Sequence, residues 1–144
     1  MKIILSGGGT GGHIYPAIAI ANALKQYDPV TDILFVGASG KMEMKKVPEA
    51  GYPIVGLEIR GLQRRQMLQN VSLPFRLMAS LWKAGKILRD FQPDVVVGTG
   101  GYAGAPILYM AARHKIPTLI QEQNAAAGLA NKILANYVDT VCVA

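Results

Sequence analysis

The 144 residues amount to about one domain, and at 51% hydrophobic, 17% charged and a mean hydropathy of +0.25 they are too apolar for a disordered segment. A single cysteine, Cys142, excludes a disulfide framework and a cysteine-based zinc site, two distant histidines, His13 and His114, argue against a metal site, and no apolar run reaches the ~18 residues of a membrane span. The net charge of +6 is concentrated: between positions 57 and 89 stand seven basic residues (Arg60, Arg64, Arg65, Arg76, Lys83, Lys86, Arg89) and one acid, Glu58, which points to a local anionic partner rather than a diffusely basic surface.

Met1-Lys2 runs into a short apolar strand over 2–6 and then into glycines, without a charged-then-apolar leader, so a soluble cytoplasmic chain is expected. A loop at 7–12 precedes a helix over 14–26, where apolar residues recur at helical spacing and Pro16 falls in the first turn. There follow a strand at 33–36, a short helix at 41–50, a strand at 52–59, a polar basic loop at 61–70 and a long helix at 71–91 entered near Pro74. A strand at 94–97, a second glycine loop at 98–104, a helix at 105–114, a strand at 118–120, a helix at 126–136 and a strand at 138–143 complete the chain. Strands that alternate with helices and are apolar on both faces predict an α/β fold, a doubly wound parallel sheet covered on both sides. Ligands of such sheets bind outside the carboxyl ends of the strands.

The first glycine loop, Gly7-Gly8-Gly9-Thr10-Gly11-Gly12, holds Gly7, Gly9 and Gly12 in a G-x-G-x-x-G pattern. Glycines permit close backbone approach to a ligand, and the helix start that follows offers unpaired N–H groups and partial positive charge to a phosphate. A turn that binds nothing needs fewer than five glycines in six residues. A dinucleotide site also wants an acid at the end of the second strand, but that strand ends Phe35-Val36-Gly37-Ala38, and Asp32 stands at its start. A P-loop wants Lys-Ser or Lys-Thr after the glycines, and His13-Ile14 stands there instead. The loop therefore reads as anion-binding, for neither NAD nor ATP. At a helix start the dipole disfavours imidazolium, so His13 reads as a neutral ring able to accept a proton, or as a residue that merely caps or ties the loop.

The second loop, from Gly98 through Gly100, Gly101 and Tyr102 to Gly104, belongs at the same rim of the sheet, and the two loops together suit a diphosphate. Tyr102 either donates a hydrogen bond or packs over the loop. Gln121-Glu122-Gln123-Asn124, at the end of the next strand, suits a hydroxyl-rich ligand such as a sugar. Glu122 is an acid/base candidate or an orienting residue, Asn124 a ligand contact or a helix cap, and Asn131 falls inside the following helix.

Gly-Gly-Thr-Gly-Gly-His at 8–13, Gly-Gly-Tyr at 100–102 and Glu-Gln-Asn at 122–124, followed by Gly128-Leu129-Ala130-Asn131-Lys132, resemble the MurG family of bacterial transferases along essentially the whole chain. The resemblance implies transfer of N-acetylglucosamine from UDP-GlcNAc to undecaprenyl-pyrophosphoryl-MurNAc-pentapeptide, on a GT-B architecture of two Rossmann-like domains. This chain resembles the N-terminal, acceptor-side domain, without the C-terminal domain that supplies most of the donor site. Carried over by position, the resemblance makes His13 the base, with Glu122 as a second catalytic candidate. It places Thr10, Gly11, Gly12 and Asn124 at the donor, Gly8, Gly9, Gly100, Gly101 and Tyr102 around the acceptor diphosphate, and Asn131 at the cleft. No tightly bound cofactor is implied, and no Asp-x-Asp pair is present to hold a metal. Gln121 stands where family members often have His, and Gln does not titrate.

The helix at 71–91 carries more apolar surface than a core face needs: its apolar arc is about 240°, against ≳ 100° for a core-facing helix. Leu73, Leu77, Leu81, Leu88 and Phe91 are expected to face the sheet, leaving Phe75, Met78 and Trp82 as a surplus edge beside Arg76, Lys83, Lys86 and Arg89. With Arg64, Arg65 and Leu68 in the preceding loop, this edge suits an anionic membrane surface, or burial against another helix. The resemblance favours peripheral attachment to the inner face of the plasma membrane. No base-reading motif suggests nucleic acid. Two other readings stay open: a non-catalytic acceptor- and membrane-binding subunit paired with a separate donor-binding chain, and an NAD-dependent Rossmann domain.

Overall fold

The computed structural model describes residues 1–60 and 71–143. Six strands form one parallel sheet: β1 (Lys2–Ser6), β2 (Asp32–Ala38), β3 (Ile54–Leu57), β4 (Val95–Gly98), β5 (Thr118–Glu122) and β6 (Thr140–Val143). Among the described residues five α-helices connect them, α1 (Gly11–Tyr27), α2 (Glu43–Glu49), α3 (Leu73–Phe91), α4 (Ala105–Arg113) and α5 (Leu129–Leu134), with a short 3-10 turn at Tyr102–Gly104 before α4. The strand order is β3-β2-β1-β4-β5-β6. That is the doubly wound order in which the chain reverses direction across the sheet between β1 and β4, and the crevice at such a reversal is where these sheets bind ligands.

Strand side chains alternate between faces, and here both faces are covered. Ile3, Leu5, Ile33, Phe35 and Val97 pack with Ala17 and Ala21 of α1 and Val47 of α2 on one side. Ile4, Val36, Leu57, Val96 and Ile120 pack with Ile87 and Leu88 of α3, Ile107, Leu108 and Ala111 of α4 and Leu134 of α5 on the other. This is why the strands read as nearly unbroken apolar runs.

Three sequence expectations shift. Helix α1 starts at Gly11 rather than at residue 14, so Gly11 and Gly12 lie in its first turn. Helix α5 starts at Leu129 with Gly128 as its N-cap, so Asn124 does not cap it. On α3 the buried line is Ser80, Ala84, Gly85, Ile87 and Leu88, not the large side chains alone. Small residues let α3 lie close to its neighbours, with Gly85 against Met110 of α4, and Leu77 is turned out, 43% exposed. Phe75, Met78 and Trp82 are 75%, 69% and 69% exposed, so they form a surface rather than a buried helix contact.

Candidate functional site

The two glycine loops leave the carboxyl ends of β1 and β4, which are neighbours in the sheet, and so meet at the reversal crevice. The pairing continues past the strands: the Thr99 N–H donates to the Ser6 carbonyl at 2.9 Å and the Gly8 N–H reaches the Gly100 carbonyl at 3.4 Å. Glycine is required by contact as much as by conformation. A methyl at Gly101 would collide with the Gly8 carbonyl, and one at Gly100 would meet Nδ1 of His13 at 2.6 Å. Gly9, Gly100 and Gly101 also hold φ of +87°, +106° and +81°, conformations that L side chains rarely adopt.

His13 sits where the loops meet. Its Nδ1 lies 3.2 Å from the Thr99 carbonyl oxygen and 3.1 Å from Nε2 of Gln123. The Thr99 hydroxyl donates back to the His13 carbonyl at 2.5 Å, and the Gln123 amide donates to the Gly12 carbonyl at 2.5 Å. A neutral Nδ1 serves either the carbonyl, as donor, or the amide, as acceptor. Serving the carbonyl leaves the Nε2 lone pair free to take a proton; serving the amide puts the proton on Nε2. Gln123 already has the Gly12 carbonyl as an acceptor, whereas the Thr99 carbonyl needs a donor, so the base-competent tautomer fits the network better. Thr99 and Gln123 are thus part of the site. Neither stands out in the sequence: Thr99 is a small hydroxyl residue among the glycines of the second loop, and Gln123 lies within the polar 121–124 run with no signal of its own.

Tyr102 lies over Gly9, with ring carbon Cε1 3.1 Å from where a Gly9 methyl would stand, so it covers the loop as the packing alternative expects. Glu122, 4% exposed, turns inward. Its Oε1 accepts from the Asn124 N–H (3.0 Å) and side-chain amide (2.9 Å), and its Oε2 from the Asn131 side chain (2.9 Å) and the Gly128 N–H (3.3 Å). Burial pushes its pKa up, but these hydrogen bonds, the Asn124 N–H and amide foremost, outweigh it and hold the carboxyl below its ordinary range. A carboxylate saturated by four donors and held ionised is poor at proton transfer, so the geometry favours the orienting alternative for Glu122. Asn131, buried, is what ties α5 to that carboxylate, and Asn124 is left exposed at the rim.

The basic residues of α3 divide. Lys83 Nζ donates to the Gly56 carbonyl of β3 at 2.6 Å and Lys86 pairs with Asp90 at 3.0 Å. Arg76 is half-buried and Arg89 exposed on the same helix. Arg64, Arg65 and Leu68 lie outside the described residues. Among the described residues no helix is long and apolar enough to cross a membrane, and no group of three or more His, Cys, Asp or Glu is placed to hold a metal ion.

Residues 3–143 match the family model of the glycosyltransferase family 28 N-terminal domain. The chain belongs to glycosyltransferase family 28. It is 60% identical, over its whole length, to a protein of Amoebophilus asiaticus named UDP-N-acetylglucosamine–N-acetylmuramyl-(pentapeptide) pyrophosphoryl-undecaprenol N-acetylglucosamine transferase, of which it covers 40%. It is 57% identical to the protein of the same name in Cytophaga hutchinsonii, with 99% of this chain and 39% of that one covered. The crystal structure of MurG from Acinetobacter baumannii superposes with a TM-score of 0.87 at 30% identity, covering 99% of this chain and 41% of that one. A UDP-GlcNAc 2-epimerase from Methanocaldococcus jannaschii, at 18% identity and a TM-score of 0.63 over 97% of this chain and 38% of its own, shares the fold alone. The chain thus spans about 40% of the length of the curated relatives it matches, and as a family member it carries the doubly wound sheet and rim loops just described.

Proposed function

We propose that this chain is the acceptor-side domain of a transferase that moves N-acetylglucosamine from UDP-GlcNAc to undecaprenyl-pyrophosphoryl-MurNAc-pentapeptide, working with a separate C-terminal domain that binds most of the donor. The observation that carries the reading is the meeting of two glycine loops at the reversal crevice with His13 bonded to the second loop at their junction. Relatives at 54–60% identity that bear this activity in their names support it.

In this reading the two glycine loops, Gly8–Gly9 and Gly100–Tyr102, flank the acceptor diphosphate at the start of α1, whose end carries partial positive charge. Thr10, Gly11, Gly12 and Asn124 face the donor across the cleft. The acceptor sugar hydroxyl attacks the anomeric carbon, its proton passes to Nε2 of His13, and the C1–O bond to UDP breaks with its electron pair leaving on UDP. The configuration inverts. Glu122 and Asn131 hold the 122–131 turn that presents Asn124. The exposed edge of Phe75, Leu77, Met78 and Trp82, with Arg76 and Arg89 on the same helix, rests on anionic lipid at the cytoplasmic face, so that a lipid-anchored acceptor reaches the rim.

The test is product formation from UDP-GlcNAc and a lipid-linked acceptor analogue, with this chain alone and with a family donor domain joined to it. The expected result is acceptor binding but negligible turnover by the chain alone, and turnover once the donor domain is present. Full activity from the chain alone, or no binding of the acceptor analogue, overturns the reading.

A further inference from the structure

Glu43 is the first residue of α2, is fully buried, and has no part in the chemistry above. Its Oε1 accepts the N–H of Ala38 at the end of β2 (2.9 Å), and its Oε2 accepts the N–H of Gly9 in the first glycine loop (3.2 Å). The surrounding glycines are shaped to it. A methyl at Gly8 would collide with its Oε1, and one at Gly37 would stand 2.6 Å from its Cγ. The acid that a dinucleotide site would place at the end of β2 is therefore present in space, but it lies beneath the loop and is hidden from any ribose.

We propose that Glu43 is a positioning residue of the diphosphate cradle, an internal acceptor that takes the Gly9 N–H and braces the first loop against β2. The inference rests on the cradle reading given under Proposed function. A carboxylate offers acceptors on both oxygens, so it satisfies two backbone donors from opposite sides at once; an amide has one oxygen and must turn its NH2 toward the other donor. With the carboxylate in place, Gly9 stays at its positive φ beneath Tyr102. The N–H groups left for a ligand are those of the α1 start and of the second loop.

The test uses the chain and its Glu43→Gln and Glu43→Asp variants, with two measurements. The first is amide hydrogen exchange at Gly9 and Ala38, referenced to the core amides of Ile4 and Leu5. The second is the affinity for inorganic pyrophosphate well below the melting temperature. Loss of one buried acceptor is expected to speed Gly9 exchange roughly tenfold and to weaken pyrophosphate binding by about the same factor, with core protection kept. Unchanged Gly9 exchange, a uniform loss of protection across core and loop, unfolding of both variants, or unchanged pyrophosphate affinity with Gly9 released would each overturn the proposal. If the wild-type chain itself does not bind pyrophosphate, the cradle reading fails and the positioning role falls with it. That outcome is distinct from one in which the wild type binds and the variants bind equally well.

Discussion

The reversal crevice and the outer face of α3 are built by opposite means. At the crevice almost every group is pinned. His13 is held by Thr99 and Gln123, Gly9 by Glu43, and Glu122 by four donors, and three of the glycines sit at positive φ. On α3, Phe75, Met78 and Trp82 stand out into solvent, and much of the adjacent charge is spent on partners within the chain. A site that must place a proton acceptor within hydrogen-bond reach of a hydroxyl needs fixed geometry. A surface that partitions into lipid needs area and tolerates loose placement.

That contrast sets the order of expected effects. His13→Ala in the proposed two-domain transferase removes the imidazole at the loop junction and is expected to lower kcat by ~10²–10⁴. Steady-state kinetics measure it, and a change under threefold would reduce the crevice to a structural feature. The double change Phe75→Ser, Trp82→Ser should cut binding to anionic vesicles by about 10–100-fold, the transfer value of one large apolar side chain or more. Chain stability should stay within about 0.5 kcal/mol, because these rings touch water already. Sedimentation with vesicles and a melting curve check the two halves of that statement, and a large drop in melting temperature would mean the face belongs to the core.

Gly100→Ala tests the pinned side from the backbone. It forces a methyl against the His13 ring and an L residue to φ +106°, at a cost of about 1–3 kcal/mol. A fall of several degrees in melting temperature is expected, together with a loss of kcat larger than its effect on vesicle binding. An effect of the same size belongs to Glu122. Its pKa is lower in the fold than in the unfolded chain, so its stabilising contribution is whole above the ordinary carboxylate value of 4.5 and drains away as the pH falls below it toward the folded pKa. Glu122→Gln should lower stability at neutral pH by about 1–3 kcal/mol and flatten the acid side of the stability profile. An unchanged acid limb in denaturant titrations would remove the carboxylate from the account of the 122–131 turn.

The glycine loops are legible in the sequence because their demands are local: positive φ or steric clearance calls for glycine at Gly7, Gly8, Gly9, Gly100 and Gly101. The surplus face of α3 was legible because an apolar arc too wide for a core must show somewhere. Helix α5 starts a few residues later than the sequence suggests, since the Asn124 side chain bonds Glu122 within its own turn and leaves the cap to Gly128. Helical spacing of the apolar residues points Leu77 inward, whereas close helix packing selects Ser80 and Ala84 and leaves Leu77 exposed. Glu43 carried no motif at all. It stands five residues past Ala38, off β2 itself, and α2 returns it to the loop.

By itself the order of residues determined the alternation of strands and helices, the sheet covered on both faces, and the two glycine-rich bends that follow β1 and β4, because periodicity and backbone sterics act over a few neighbours. Only the folded sheet decided that β1 and β4 lie side by side, that His13 bridges to Thr99 and Gln123 across 86 and 110 positions of sequence, and that a buried carboxylate rather than a ligand takes the Gly9 N–H. Those contacts depend on strand order, and strand order is set by the packing of the whole core.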